Sequence, residues 1–113
     1  MPQQDLDQTF VALADPARRS IIELLRRKPR RAGELADELS LNRPRMSQHL
    51  RVLRQSGLIE HEGVEHDARV RVIRLRLEPL TQVRDWLNEV EEFWTAQLSS
   101  FKAHAERSAK RRK

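Results

Sequence analysis

Breaks fall so often in the first half of this chain that none of its helices can exceed about four turns. They lie at Asp15-Pro16, Pro29, Ser40-Leu41-Asn42 and Gly57, where proline or a left-handed position ends helical hydrogen bonding. Leu6, Phe10 and Leu13 recur at helical spacing and mark a first short helix. Asp15 can cap a second helix with Pro16 in its first turn, running to about Lys28 with Ile21, Leu24 and Leu25 inward. A third helix spans about Gly33 to Leu39, with Leu35, Ala36 and Leu39 inward and no capping residue at its start. After a three-residue turn, Asn42 caps a fourth helix from Arg43 to Ser56. The pattern then changes. Leu58-Ile59 opens an extended segment, Gly63 to Ala68 supplies a polar turn, and Arg69 to Leu77 alternates, with a phase slip between Val72 and Ile73 that predicts a bulge there. Pro79 ends this hairpin, and a long last helix follows from about Leu80 to Ala105. The expected fold is mainly α with a small β-hairpin wing, in the order α-α-α-α-β-β-α. Residues 1–106 are expected to form one domain, with a disordered basic tail over 107–113.

Charge distribution says more than the net +5. Residues 15–77 carry 15 bases against 9 acids, whereas residues 78–106 carry 2 bases against 6 acids. Eighteen of the 22 bases are arginine, the side chain suited to bidentate contacts with phosphate and guanine. Segment 42–57 holds four arginines and no acid. At 100° per residue Met46, His49, Leu50 and Leu53 fall on its core side, and Pro44, Gln48, Arg51 and Gln55 lie opposite, with Arg45 and Ser47 beside them. A short helix, a tight turn and a basic, amide-bearing second helix are the parts of a helix-turn-helix. On that reading Gln48 suits adenine and Arg45 or Arg43 suits guanine, while Arg51 and Arg54 suit phosphates. Contacts from the wing are expected from Arg69 and Arg71, since Glu62, Glu65 and Asp67 make its tip acidic.

Two stretches carry a family resemblance. One is Ala12-Leu13-Ala14-Asp15-Pro16 with Arg18-Arg19 and Ile21, followed by Gly33-Glu34-Leu35-Ala36. The other is Arg43-Pro44-Arg45-Met46-Ser47-Gln48-His49-Leu50-Arg51-Val52-Leu53, closed by Ser56-Gly57-Leu58-Ile59. Over residues 6–77 the chain resembles the ArsR family of winged helix-turn-helix transcription regulators. The resemblance implies a homodimer that binds a two-fold, palindromic operator in double-stranded DNA, usually as a repressor and often of its own operon. It places base recognition at Arg43, Arg45, Ser47 and Gln48, and His49 also matches the motif. The family's metal-sensing members have cysteines in the third helix, where this chain reads Glu34-Leu35-Ala36-Asp37-Glu38-Leu39. Other members bind zinc through Asp and His pairs on the last helix, but here Asp85 is followed two residues later by Leu87 and only His104 remains. No metal and no cofactor are therefore expected.

The last helix holds four of the five aromatics, Trp86, Phe93, Trp94 and Phe101. With Val83, Leu87, Val90 and Leu98 they form one apolar stripe, which predicts a second copy as partner, joined by Leu6, Phe10 and Leu13. A pocket for an aromatic or lipid-like effector between subunits competes with that reading, and no motif names a small-molecule effector. His61 and His66, near Glu62, Glu65 and Asp67, match no zinc spacing. With no cysteine, only three glycines and no Ser-His-Asp or HExxH arrangement, the chain offers an enzyme nothing to work with. No apolar run suits a membrane span or a signal peptide, so a cytoplasmic protein is expected. The alternative is a winged-helix module whose arginines bind acidic proteins or RNA without sequence preference.

Overall fold

The computed structural model describes the backbone of residues 3–64 and 67–111 and the side chains of residues 5–63 and 71–109. Its elements are α1 (Gln3–Leu13), α2 (Pro16–Leu25), α3 (Ala32–Leu39), α4 (Arg43–Gln55), β1 (Ile59–Val64), β2 (Asp67–Leu75) and α5 (Glu78–Arg111). The order is the expected one. The chain divides after Gln82 into two units, the first holding α1 to β2 and the start of α5, the second the rest of α5. None of the described helices is long and apolar enough to cross a membrane.

Local signals set most element boundaries. Asp15 caps α2, its Oδ1 accepting from the backbone N–H of Ala17 at 2.8 Å and of Arg18 at 3.2 Å. Partial desolvation works against the charge of this carboxylate. The two N–H bonds, the Arg18 guanidinium and His49 outweigh it and hold the pKa below the usual value. Asn42 caps α4 in the same way, accepting from Arg45 N–H at 2.9 Å. The start of α3 has no side-chain cap, and Arg31 occupies that position. Ser40 ends α3 in the left-handed conformation, at φ 54° and ψ 41°. There the Leu41 N–H reaches back to the Ala36 carbonyl at 3.0 Å. Gly57 takes φ 78° after α4, as its place beyond the helix end requires.

Three boundaries differ from expectation. Helix α2 stops at Leu25 and not near Lys28, because the Pro29 ring crowds the carbonyl four residues back and disfavours helix at the residue before it. Helix α5 begins at Glu78, with Pro79 starting the helix and not merely closing the hairpin. It runs to Arg111, past Ala105 and into the segment expected to be disordered. No breaker interrupts that stretch, and basic side chains suit a helix C-terminus.

The hairpin departs more. β1 and β2 pair continuously from Ile59↔Leu75 through His61↔Ile73 to Gly63↔Arg71, and the register shifts only between Gly63 and Val64. No bulge lies between Val72 and Ile73. Ile59, Ile73 and Leu75 share the inner face, while Val72 lies on the outer one with Glu62 opposite it. Val72 reflects the preference of β-branched residues for a pleated surface and not a core position. The strands also extend to Val64 and from Asp67, which shortens the expected polar turn, and β2 ends at Leu75 and not at Leu77.

The core of the first unit gathers Ile21, Leu25, Leu35, Met46, Leu50, Leu53, Leu58 and Ile73 from α2, α3, α4 and the hairpin. Arg30, between α2 and α3, adds a rung to the sheet. Its N–H donates to the Ile73 carbonyl at 3.1 Å and its carbonyl accepts from Ile73 N–H at 2.7 Å.

Candidate nucleic-acid interface

The core side of α4 is fixed by Met46, Leu50 and Leu53, all buried. That anchoring turns Arg43, Pro44, Arg45, Ser47, Gln48, Arg51, Arg54 and Gln55 to solvent, so the expected reading face stands together on one exposed surface. His49 is half-buried, with Nδ1 3.4 Å from Arg18 Nη1. It belongs to the packing between α2 and α4.

Ion pairing separates the arginines into two groups. Arg74 pairs with Glu60 and Glu62, each at 3.4 Å, and Arg76 with Glu60 at 3.8 Å and Glu78 at 3.6 Å. Arg30 pairs with Glu38 at 3.6 Å. Arg43, Arg45, Arg51, Arg54 and Arg71 have no carboxylate partner among the described residues. Their charge is available to an external polyanion. Arg69 lies on β2, and its side chain is outside the described residues, as are His66 and Glu65 of the wing tip.

Arg18, which lies 3.9 Å from Asp15, and Arg19 turn instead to main-chain carbonyls. Arg18 Nε donates to the Ala12 carbonyl at 2.8 Å and Nη2 to the Val11 carbonyl at 3.0 Å, and Arg19 Nη1 donates to the Leu13 carbonyl at 2.7 Å. They bond the last carbonyls of α1, of which that of Val11 also accepts from the Ala14 N–H at 3.2 Å. The Asp-Pro-x-Arg-Arg stretch is thus a clasp between α1 and α2. From the sequence these arginines were only part of the stretch that carries the family resemblance. The signal that separates them is their position just after a helix end that has no glycine or serine cap.

Comparison with known proteins decides the family. The sequence model described as "Bacterial regulatory protein, arsR family" matches residues 15–61. The HTH-type transcriptional regulator Rv2034 of Mycobacterium tuberculosis is 36% identical over 95 residues, covering 84% of this chain and 83% of that protein. The chain belongs to the ArsR family. An ArsR-like transcriptional regulator from Rhodococcus sp. RHA1 superposes with TM-score 0.81 at 29% identity, covering 91% of this chain and 92% of that one. The transcriptional repressor SdpR of Bacillus subtilis is 35% identical over 54 residues, 48% of this chain and 60% of that protein. This ArsR-family chain is accordingly a transcriptional regulator with the winged helix-turn-helix fold, in a family of regulators and not of enzymes. In it α3 and α4 form the helix-turn-helix, and β1 and β2 form the wing.

The residues expected at a dimer contact are placed unequally. Phe10, Trp86, Leu87, Val90, Trp94, Leu98 and Phe101 are exposed, Trp94 at 61% and Phe101 at 76%. Leu6 is half-buried, Leu13 packs against the core of the first unit, and Val83 is only 8% exposed.

Proposed function

We propose that this protein is a dimeric, sequence-specific DNA-binding repressor that works in the cytoplasm without a metal or other cofactor. The observation that carries the reading is the exposed face of α4, where four arginines stand free of any described carboxylate and no acid shares the helix. Arg43 and Arg45 would meet guanine edges, Gln48 adenine, and Ser47 a neighbouring edge. Arg51 and Arg54 would meet phosphates, with Arg69 and Arg71 gripping the backbone beside them and the basic residues from Arg107 on adding weak attraction. Two copies joined along the apolar stripe of α5 would set their reading helices about 34 Å apart, on a roughly palindromic operator. A face this apolar on a lone long helix supports a second copy, because contiguous exposed apolar surface of that extent marks an interaction site. Repression is supported by the relative named as a repressor, and a metal-free mode by the complete lack of cysteine.

The test is titration of the purified protein against its own upstream DNA and an equal length of scrambled DNA, at two salt concentrations. Preference for the native fragment at two chains per site supports a self-regulating dimer. Equal, steeply salt-dependent binding to both moves the target elsewhere, and binding to neither refutes the DNA reading in favour of a protein-interaction module.

A further inference from the structure

Beyond the arginines of the reading face, a third element contributes to the same surface. His61 lies on β1, paired with Ile73 of β2. Ile73 directs both its main-chain groups to Arg30, so His61↔Ile73 is a pair without mutual hydrogen bonds, the kind whose side chains stand closest. The inner face runs from buried Ile59 and Ile73 outward to exposed His61 and Arg71, which is the diagonal neighbour of His61. Diagonal pairs on one face lie within reach of long side chains. Arg54 stands in the last turn of α4, and its charge acts on the imidazole. Glu60 and Glu62, the imidazole's neighbours in sequence, lie on the opposite face and are engaged by Arg74 and Arg76. Arg54 at the end of α4 and His61 and Arg71 on the inner face of the hairpin thus have no described carboxylate partner.

We propose that Arg54, His61 and Arg71 form a clamp for one DNA phosphodiester, and that His61 makes operator affinity depend on protonation. The clamp rests on the DNA-binding reading above and extends it to a residue which that reading leaves out. In the free protein, partial desolvation and the charges of Arg54 and Arg71 hold the His61 pKa below its usual value. A phosphate seated among the three groups reverses that balance, since an anion in contact favours the imidazolium. Binding therefore takes up a proton, and affinity rises as pH falls. Each unit by which DNA raises the His61 pKa adds up to roughly tenfold in affinity at low pH.

The contact is to backbone, so the test needs no operator. Affinity of the full chain for a random-sequence duplex of 30 base pairs is measured across a salt series at pH 5.5 and pH 8, for wild type and His61→Gln, and the His61 imidazole is titrated by NMR with and without that duplex. Wild type is expected to bind several-fold tighter at pH 5.5 and to show a salt slope steeper there by about 0.9, one phosphate contact. His61→Gln should lose most of the wild-type gain between pH 8 and pH 5.5, and DNA should raise the His61 pKa. Full pH dependence in His61→Gln, or a His61 pKa indifferent to DNA, overturns the clamp while leaving the DNA reading intact. An equal rise with inorganic phosphate alone would make this a free-anion site and overturns the DNA clamp. Absence of duplex binding at both pH values refutes the DNA reading itself.

Discussion

Arg18 should matter to this protein as a fastener and not as a DNA contact. Its side chain is 14% exposed, and truncation to alanine removes two charged donors from the α1 carbonyls, at 2.8 Å and 3.0 Å. It also removes the contact to His49 at 3.4 Å. A hydrogen bond to a charged group contributes about 1.5–3 kcal/mol. The Val11 carbonyl lies by an exposed residue, where water replaces the lost donor, so the Ala12 bond carries most of the cost. Asp15 at 3.9 Å adds little. The sum is about 2–3 kcal/mol, which lowers the unfolding midpoint by roughly 8–15 °C in a domain of this size. Urea and thermal unfolding followed by circular dichroism measure it, at one fixed protein concentration because association shifts the midpoint. Arg19→Ala, which loses one exposed bond at 2.7 Å, should cost about 1 kcal/mol or less. The slope of DNA affinity against salt should be the same in Arg18→Ala as in wild type. A loss below about 0.5 kcal/mol for Arg18→Ala, or a salt slope reduced by about one contact, would refute the clasp.

Arg45→Ala and Gln48→Ala should each weaken operator binding by about 1–3 kcal/mol, while Arg51→Ala weakens all sequences alike and flattens the salt dependence; competition titrations with operator and scrambled duplexes separate the two. Ser40→Gly, which relieves a side chain held at φ 54°, should stabilise by about 0.5–1 kcal/mol in urea unfolding. Asp15 has its pKa lowered in the fold, so its contribution is complete above the ordinary carboxylate pKa and fades as pH falls through the folded value. Urea midpoints of Asp15→Asn followed downward from pH 6 should therefore fall less steeply than wild type in the acid range. Trp94→Asp should give monomers in sedimentation velocity; a dimer after that change moves the interface off the α5 stripe.

What could be read from the sequence followed the reach of each signal. Asp15, Asn42 and Gly57 act on groups two or three residues away, and the structure places them where their chemistry predicts. The exposed face of α4 was equally legible, since Met46, Leu50 and Leu53 fix its rotation. The wing was harder, because the apolar Val72 on the outer face mimicked a change of phase. The neutralisation of Arg74 and Arg76 was present in the sequence as Glu60 and Glu62 in matching alternation, but it needs the register to be seen. Arg30 gave no signal at all. A single residue that bonds a strand 43 positions later has no period to betray it.

That single residue has a mechanical consequence. Ile73 is gripped on one edge by Arg30, at the threshold of α3, and sits on its other edge beside His61 in the wing. The hairpin and the first helix of the reading head therefore share one fulcrum. The start of α3 is tied in turn to α4 through the packing of Leu35, Ala36 and Met46 in one core. Hairpin and helix-turn-helix are thus coupled at one residue, and the stiffness of that link is set by two backbone hydrogen bonds.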